Sequence, residues 1–151
     1  MRSIFLVFEG NITTTLSEFL DEYCASYSGT FPVKQWIVEK SNTPCLYIDN
    51  TPLTEDDLCF EDLGVPMLYL QMENPVVWMV NISGNHEGTT EVLELATALL
   101  SKFPMYIQDD YTQHYWTLEE ITDNVEIEGY KFFDYYGRYK DKFERMIPCK
   151  Q

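Results

Sequence analysis

The change of hydropathy period between residues 76 and 108 constrains this chain more than any other feature. "VVWMVNIS" (76–83) is a nearly continuous apolar run, the pattern of a strand. "GTTEVLELATALLSKF" (88–103) then sets Val92, Leu95, Ala96, Leu99 and Leu100 on one side at helical spacing. Pro104 ends that helix because it has no N–H to continue it. "MYIQ" (105–108) returns to a strand. A strand–helix–strand unit with one apolar helix face needs a sheet to bury that face against.

The rest of the chain supplies one. "SIFLVF" (3–8) predicts a buried strand stopped by "EGN". Thr15-Leu16-Ser17-Glu18 has the form of a capping box, followed by Phe19, Leu20 and Tyr23 at helical spacing, with Gly29 as a stop. "VKQWIVEK" (33–40) and "CLYID" (45–49) predict strands around a turn at Asn42-Thr43-Pro44. In "TPLTEDDLCFEDLG" (51–64), Thr54 predicts the cap of a short helix whose first-turn acids favour the dipole. "MLYLQM" (67–72) predicts another strand. "YKFFDYYGRYKDKFERM" predicts a C-terminal helix over 130–147, weakened by Gly137.

This order predicts an α+β fold: a single domain over 1–151, with a mixed, mostly antiparallel sheet, helices on one face, and the basic C-terminal helix packed on it. Strand, Gly10-Asn11, threonines, helix recurs as strand, Gly84-Asn85, threonines, helix. A duplicated β-α-β half would explain the echo, and so would chance matching of common turn residues.

At 45% hydrophobic and 15% aromatic, the chain can fill a core. Its formal charge of −15 is unevenly placed. Residues 1–128 hold 22 acidic and 4 basic side chains, whereas 129–151 hold 3 and 6. Such a body repels nucleic acid and anionic membranes and attracts basic partners. No apolar run reaches the length of a membrane span. Nothing at the N-terminus has the form of a secretory signal, and Cys24, Cys45, Cys59 and Cys149 show no C-x-x-C spacing. A reduced, cytoplasmic protein is the expectation.

The densest stretch is "YIQDDYTQHYWTLEEI" (106–121). Asp109, Asp110, His114 and Glu119 could hold a metal or move protons in a small hydrolase. Adjacent aspartates on a strand face opposite ways, however, and no H-x-H, H-x-x-x-H or D-x-D spacing supports that chemistry. The structural alternative explains more residues. Asp109 and Asp110 end a strand, Thr117-Leu118-Glu119-Glu120 is a capping box, and Trp116 with Ile121 forms a hydrophobic staple. G-x-S-x-G, P-loop and G-x-G-x-x-G motifs are missing, and Cys24 and Cys59 sit among core-type neighbours. No catalytic residue, metal or cofactor is therefore expected.

The order of "VVWMVNIS", "EVLELATALLSKF", "MYIQDD" and "YWTLEEI" resembles a pattern in bacterial immunity proteins of polymorphic-toxin and contact-dependent growth inhibition systems. The resemblance covers roughly residues 76–121, under a third of the chain, and rests on element order plus an Asp-Asp and Trp-Thr/Ser-x-Glu-Glu signature. It implies a protein that is not an enzyme and that blocks a cognate toxin domain, often a nuclease. Nucleases are basic around their active sites, so an acidic inhibitor can occupy that surface in place of phosphate. The expected contact residues are Asp49, Glu55, Asp56, Asp57, Glu61 and Asp62, then Asp109, Asp110 and Tyr111 with His114. For each, a solvated acidic face or capping chemistry is the plainer alternative. A third reading is an acidic nucleic-acid mimic that binds several basic proteins with little selectivity.

Overall fold

The computed structural model describes residues 2–24, 26–30, 33–51, 71–109, 112 and 114–134. These segments hold six strands and three α-helices. The strands are β1 (Ser3–Glu9), β2 (Ser26–Thr30), β3 (Val33–Lys40), β4 (Thr43–Asp49), β5 (Pro75–Ile82) and β6 (Met105–Asp109). The helices are α1 (Thr13–Tyr23), α2 (Thr89–Lys102) and the short α3 (Leu118–Thr122), with a 3-10 turn at Gly10–Ile12 before α1. The strands form one sheet in the order β2-β3-β4-β5-β1-β6. Every pairing in it is antiparallel. The α+β expectation holds, with a wholly antiparallel sheet.

β1 is the spine because its apolar run satisfies both faces at once. Ile4, Leu6 and Phe8 point to the helices and are fully buried, and Phe5 and Val7 are buried on the other side. Leu16 and Leu20 of α1 join the helix-side core, as do Val92, Leu95, Ala96 and Leu99 of α2 and Ile121 of α3. All three described helices therefore cover one face. Two tryptophans anchor the middle: Trp36 and Trp78 stack with ring centroids 5.7 Å apart, and Phe8 meets Trp78 edge-on at 5.1 Å. Fully buried rings of this size dominate core energetics, at about 150–250 Å² each.

Local differences from the sequence expectations have physical causes. The first helix begins at Thr13, so Thr15 lies inside it and makes no cap; the Gly10–Ile12 turn runs straight into the helix, and Ile12 occupies the cap position without a side-chain bond. The turn between β3 and β4 is Ser41-Asn42, with φ of 55° and 65°, the positive pair a tight hairpin demands. Thr43 and Pro44 consequently belong to β4, beside a register shift at Val38/Glu39. β2 was not expected at all. The predicted helix at 130 does not start there: Ile127 and Tyr130 exchange backbone bonds of 2.8 and 3.0 Å around Glu128-Gly129, both at positive φ. Lys131 N–H then bonds the Asp134 carboxylate at 3.3 Å. The expected elements at 54–63 and 67–70, and the rest of the C-terminal helix, lie outside the described residues.

The internal echo survives only in element order. The strand after α1 lies at the far edge of the sheet, three strands from β1, whereas the strand after α2 lies one strand from β5. The two halves do not occupy equivalent places. Among the described residues, no helix is long and apolar enough to cross a membrane.

Candidate functional site

The segment from β6 to α3 carries the densest chemistry, and β6 sets its geometry. Asp109 is the last residue of β6 and pairs across with Ile4, so its side chain faces the helix-side core. It is 1% exposed. Oδ1 accepts from Thr112 N–H at 3.1 Å and from the Thr112 hydroxyl at 3.3 Å, and Oδ2 accepts from Phe133 N–H at 2.6 Å. This corrects the expectation for Asp109: its carboxylate faces inward and is taken up by the Thr112 N–H and hydroxyl and the Phe133 N–H, so it offers no free surface to a partner.

His114 is turned elsewhere. Its Nε2 lies 2.9 Å from both carboxylate oxygens of Glu120, and its ring meets Trp116 edge-on at 5.0 Å. Glu120 also completes the expected capping box, accepting from Thr117 N–H at 3.0 Å while the Thr117 hydroxyl accepts from Glu120 N–H at 3.2 Å. Burial disfavours the charge on Glu120, but the bonds from His114 and Thr117 together outweigh it and hold the carboxyl below its ordinary value of 4.5. The Trp116 backbone N–H donates to the Ile107 carbonyl at 2.8 Å, closing part of the outer edge of β6, and the Trp116 ring is buried in the same core cluster as Ile121.

Of the four residues in the metal reading, the three that are described do not converge. Asp109 serves Thr112 and Phe133, His114 serves Glu120, and Glu119 is exposed. Among the described residues, no three His, Cys, Asp or Glu side chains gather as metal ligands. Asp110 and Tyr111 lie outside the described residues, as do Glu55, Asp56, Asp57, Glu61 and Asp62. Of the first-choice acids only Asp49 is described. It ends β4 on the helix-free face, opposite Gln35 and Met79, and accepts from Thr51 N–H at 3.0 Å.

The structure brings forward a group that the sequence reading did not single out. Glu119, Asp123, Glu126 and Glu128 are all exposed on α3 and the loop beyond it. With Glu120 they make five acids in the ten residues 119–128, with no base among them. The density exceeds that of 51–64, which has five acids in fourteen residues, so it was readable by counting. A cleft of about 190 Å³ opens beside them, floored by Leu93, Ile121, Phe132 and Phe133 and rimmed by Asn124 and Lys131. That is smaller than the roughly 300–1,000 Å³ of small-molecule sites and suits a single side chain.

The two described cysteines are free thiols. Burial, with a contribution from Asp21, pushes Cys24 up to about 12, and burial with the nearby Glu91 carboxylate pushes Cys45 up to about 11. Both are protonated at neutral pH and poorly nucleophilic. Compared with known protein families, with characterised proteins and with solved structures, the chain matches none.

Proposed function

We propose that this is a cytoplasmic immunity protein that binds a cognate toxin domain with a basic, nuclease-type active site and blocks it sterically and electrostatically. The observation that carries the reading is the acidic surface. The chain has a net charge of −15, and Glu119, Asp123, Glu126 and Glu128 stand exposed together on α3 and its following loop. Such a surface raises the encounter rate with a basic partner by long-range attraction. The neighbouring cleft is sized to take one side chain of that partner, the kind of buried anchor on which affinity depends. Asp49, and the acids that follow it in sequence to Asp62, are kept as a second contact region.

The test is growth protection. The product of the neighbouring reading frame is expressed with this protein or with its Glu119→Lys/Asp123→Lys/Glu126→Lys variant. The expected result is full protection by the wild-type chain and at least ~10-fold weaker protection by the charge-reversed one, since rim charges act chiefly on the association rate. Failure of the wild-type chain to protect against any adjacent product contradicts the reading.

A further inference from the structure

The two edges of the sheet are finished differently. Beyond β6, Trp116 bonds back to Ile107 and closes part of that edge. β2, at the opposite end, is followed by no further strand among the described residues, and its described side chains are all exposed. Natural edge strands are commonly guarded by charge, proline, inward lysines or covering loops. Residues 26–30, Ser-Tyr-Ser-Gly-Thr, contain neither a charged residue nor a proline. In a chain of net charge −15, this strand is a neutral gap.

The hydrogen-bonding direction of β2 follows from its neighbour. Lys34 spends its N–H on the Asn50 side chain at 2.7 Å, and its carbonyl accepts from Asn50 N–H at 3.2 Å. Both groups therefore point away from β2. Gly29, opposite Lys34, has no partner there for its own N–H and C=O, and alternation gives the same outward direction to Tyr27, opposite Trp36. Tyr27 is also held ready. It is 55% exposed, with Lys34 Nζ lying 3.8 Å from its ring centroid, and that ammonium is fixed by Asp21 at 2.6 Å.

We propose that β2 is a self-association edge, pairing antiparallel with β2 of a second copy about a two-fold axis at Ser28. In that register Tyr27 faces Gly29 of the other copy, and each such pair exchanges outward N–H and C=O groups. The ring then covers a position with no side chain, a pairing that favours glycine in strands. Gly29 is required by the hairpin itself: its φ is +82°, and a Cβ there would lie 2.5 Å from the Val33 carbonyl oxygen. The occupant is a second copy because this chain supplies both the aromatic and the gap. A basic partner would find no counter-charge at this edge, since Lys34 and Asp21 already neutralise each other. The exposed Val33, at 59%, borders the same edge and adds apolar area.

Sedimentation equilibrium of the full chain over a range of concentrations tests this, at low and high sodium chloride. A reversible dimer is expected, tightening as salt screens the like charges of the two copies. Tyr27→Lys, which sets two ammonium groups into the shared edge, raises the dimer dissociation constant by at least ~10-fold, whereas Tyr27→Phe, which keeps the ring over Gly29, leaves it unchanged. Amide hydrogen exchange on the wild-type chain gives an independent reading: Tyr27 and Gly29 amides slow as concentration rises. A chain that stays monomeric at ~1 mM, with those two amides exchanging independently of concentration, overturns the proposal. So does a dimer that Tyr27→Lys leaves intact.

Discussion

The Asp109 carboxylate and the Phe133 backbone N–H meet at 2.6 Å, across 24 residues of sequence. This contact pins the chain that follows α3 to the end of β6. Phe133 is fully buried with φ at +51°, a left-handed conformation that a bulky side chain adopts only when its surroundings impose it. The imposing groups are identifiable: Asp109 holds the N–H, and the Arg2 guanidinium lies 5.8 Å from the ring centroid while donating to the carbonyls of His86 and Glu87.

Replacing Asp109 by Ala leaves the Thr112 and Phe133 N–H groups buried without their acceptor, at a cost of about 3 kcal/mol. Urea unfolding followed by circular dichroism measures it. Asp109→Asn keeps one acceptor oxygen and is expected to lose roughly half as much. If Asp109→Ala left the urea midpoint unchanged, the carboxylate would not be holding Phe133.

How far the sequence disclosed this arrangement depended on the range of the interactions involved. β5, α2 and β6 were legible because their periods are local and unbroken, and the Thr117–Glu120 cap because both partners lie within four residues. β2 was invisible: Ser-Tyr-Ser-Gly-Thr has no apolar alternation, and its strand state comes from pairing with β3. Asp109 looked like surface because Gln-Asp-Asp ends a strand, and the donor that draws it inward is Phe133, far along the chain. Asp21, whose carboxylate joins Lys34 Nζ at 2.6 Å and Trp36 Nε1 at 2.9 Å, was hidden for the same reason.

Glu120 makes stability pH-dependent in a defined direction. Its folded value is depressed below 4.5, so its contribution is fully present above that value and is lost as pH falls through the lower folded value. Glu120→Gln retains the cap geometry but removes the charge facing His114. The wild-type chain is therefore expected to melt higher than Glu120→Gln at about pH 5. The difference should shrink as pH falls from there through the lower folded value. A gap that widens on acidification would contradict the assignment.

Cys24 and Cys45, raised to about 12 and about 11, are expected to resist alkylation while the chain is folded. At pH ~8, iodoacetamide should modify them at least ~100-fold more slowly than in urea, because the thiolate fraction controls the rate. Peptide-resolved mass spectrometry reads the two sites separately. Rapid labelling of Cys24 in the folded protein would show that its thiol is not desolvated.

The central claim is that the acidic surface captures one basic partner, and isolation of the protein from its native cells tests it most directly. The chain is tagged, the flanking reading frame is co-expressed, and the captured material is washed at moderate salt. One stoichiometric basic protein is predicted, whose toxicity disappears in the presence of this chain and whose capture weakens when Glu119, Asp123 and Glu126 are reversed to Lys. No partner, or many proteins that all wash away with salt, would contradict the account.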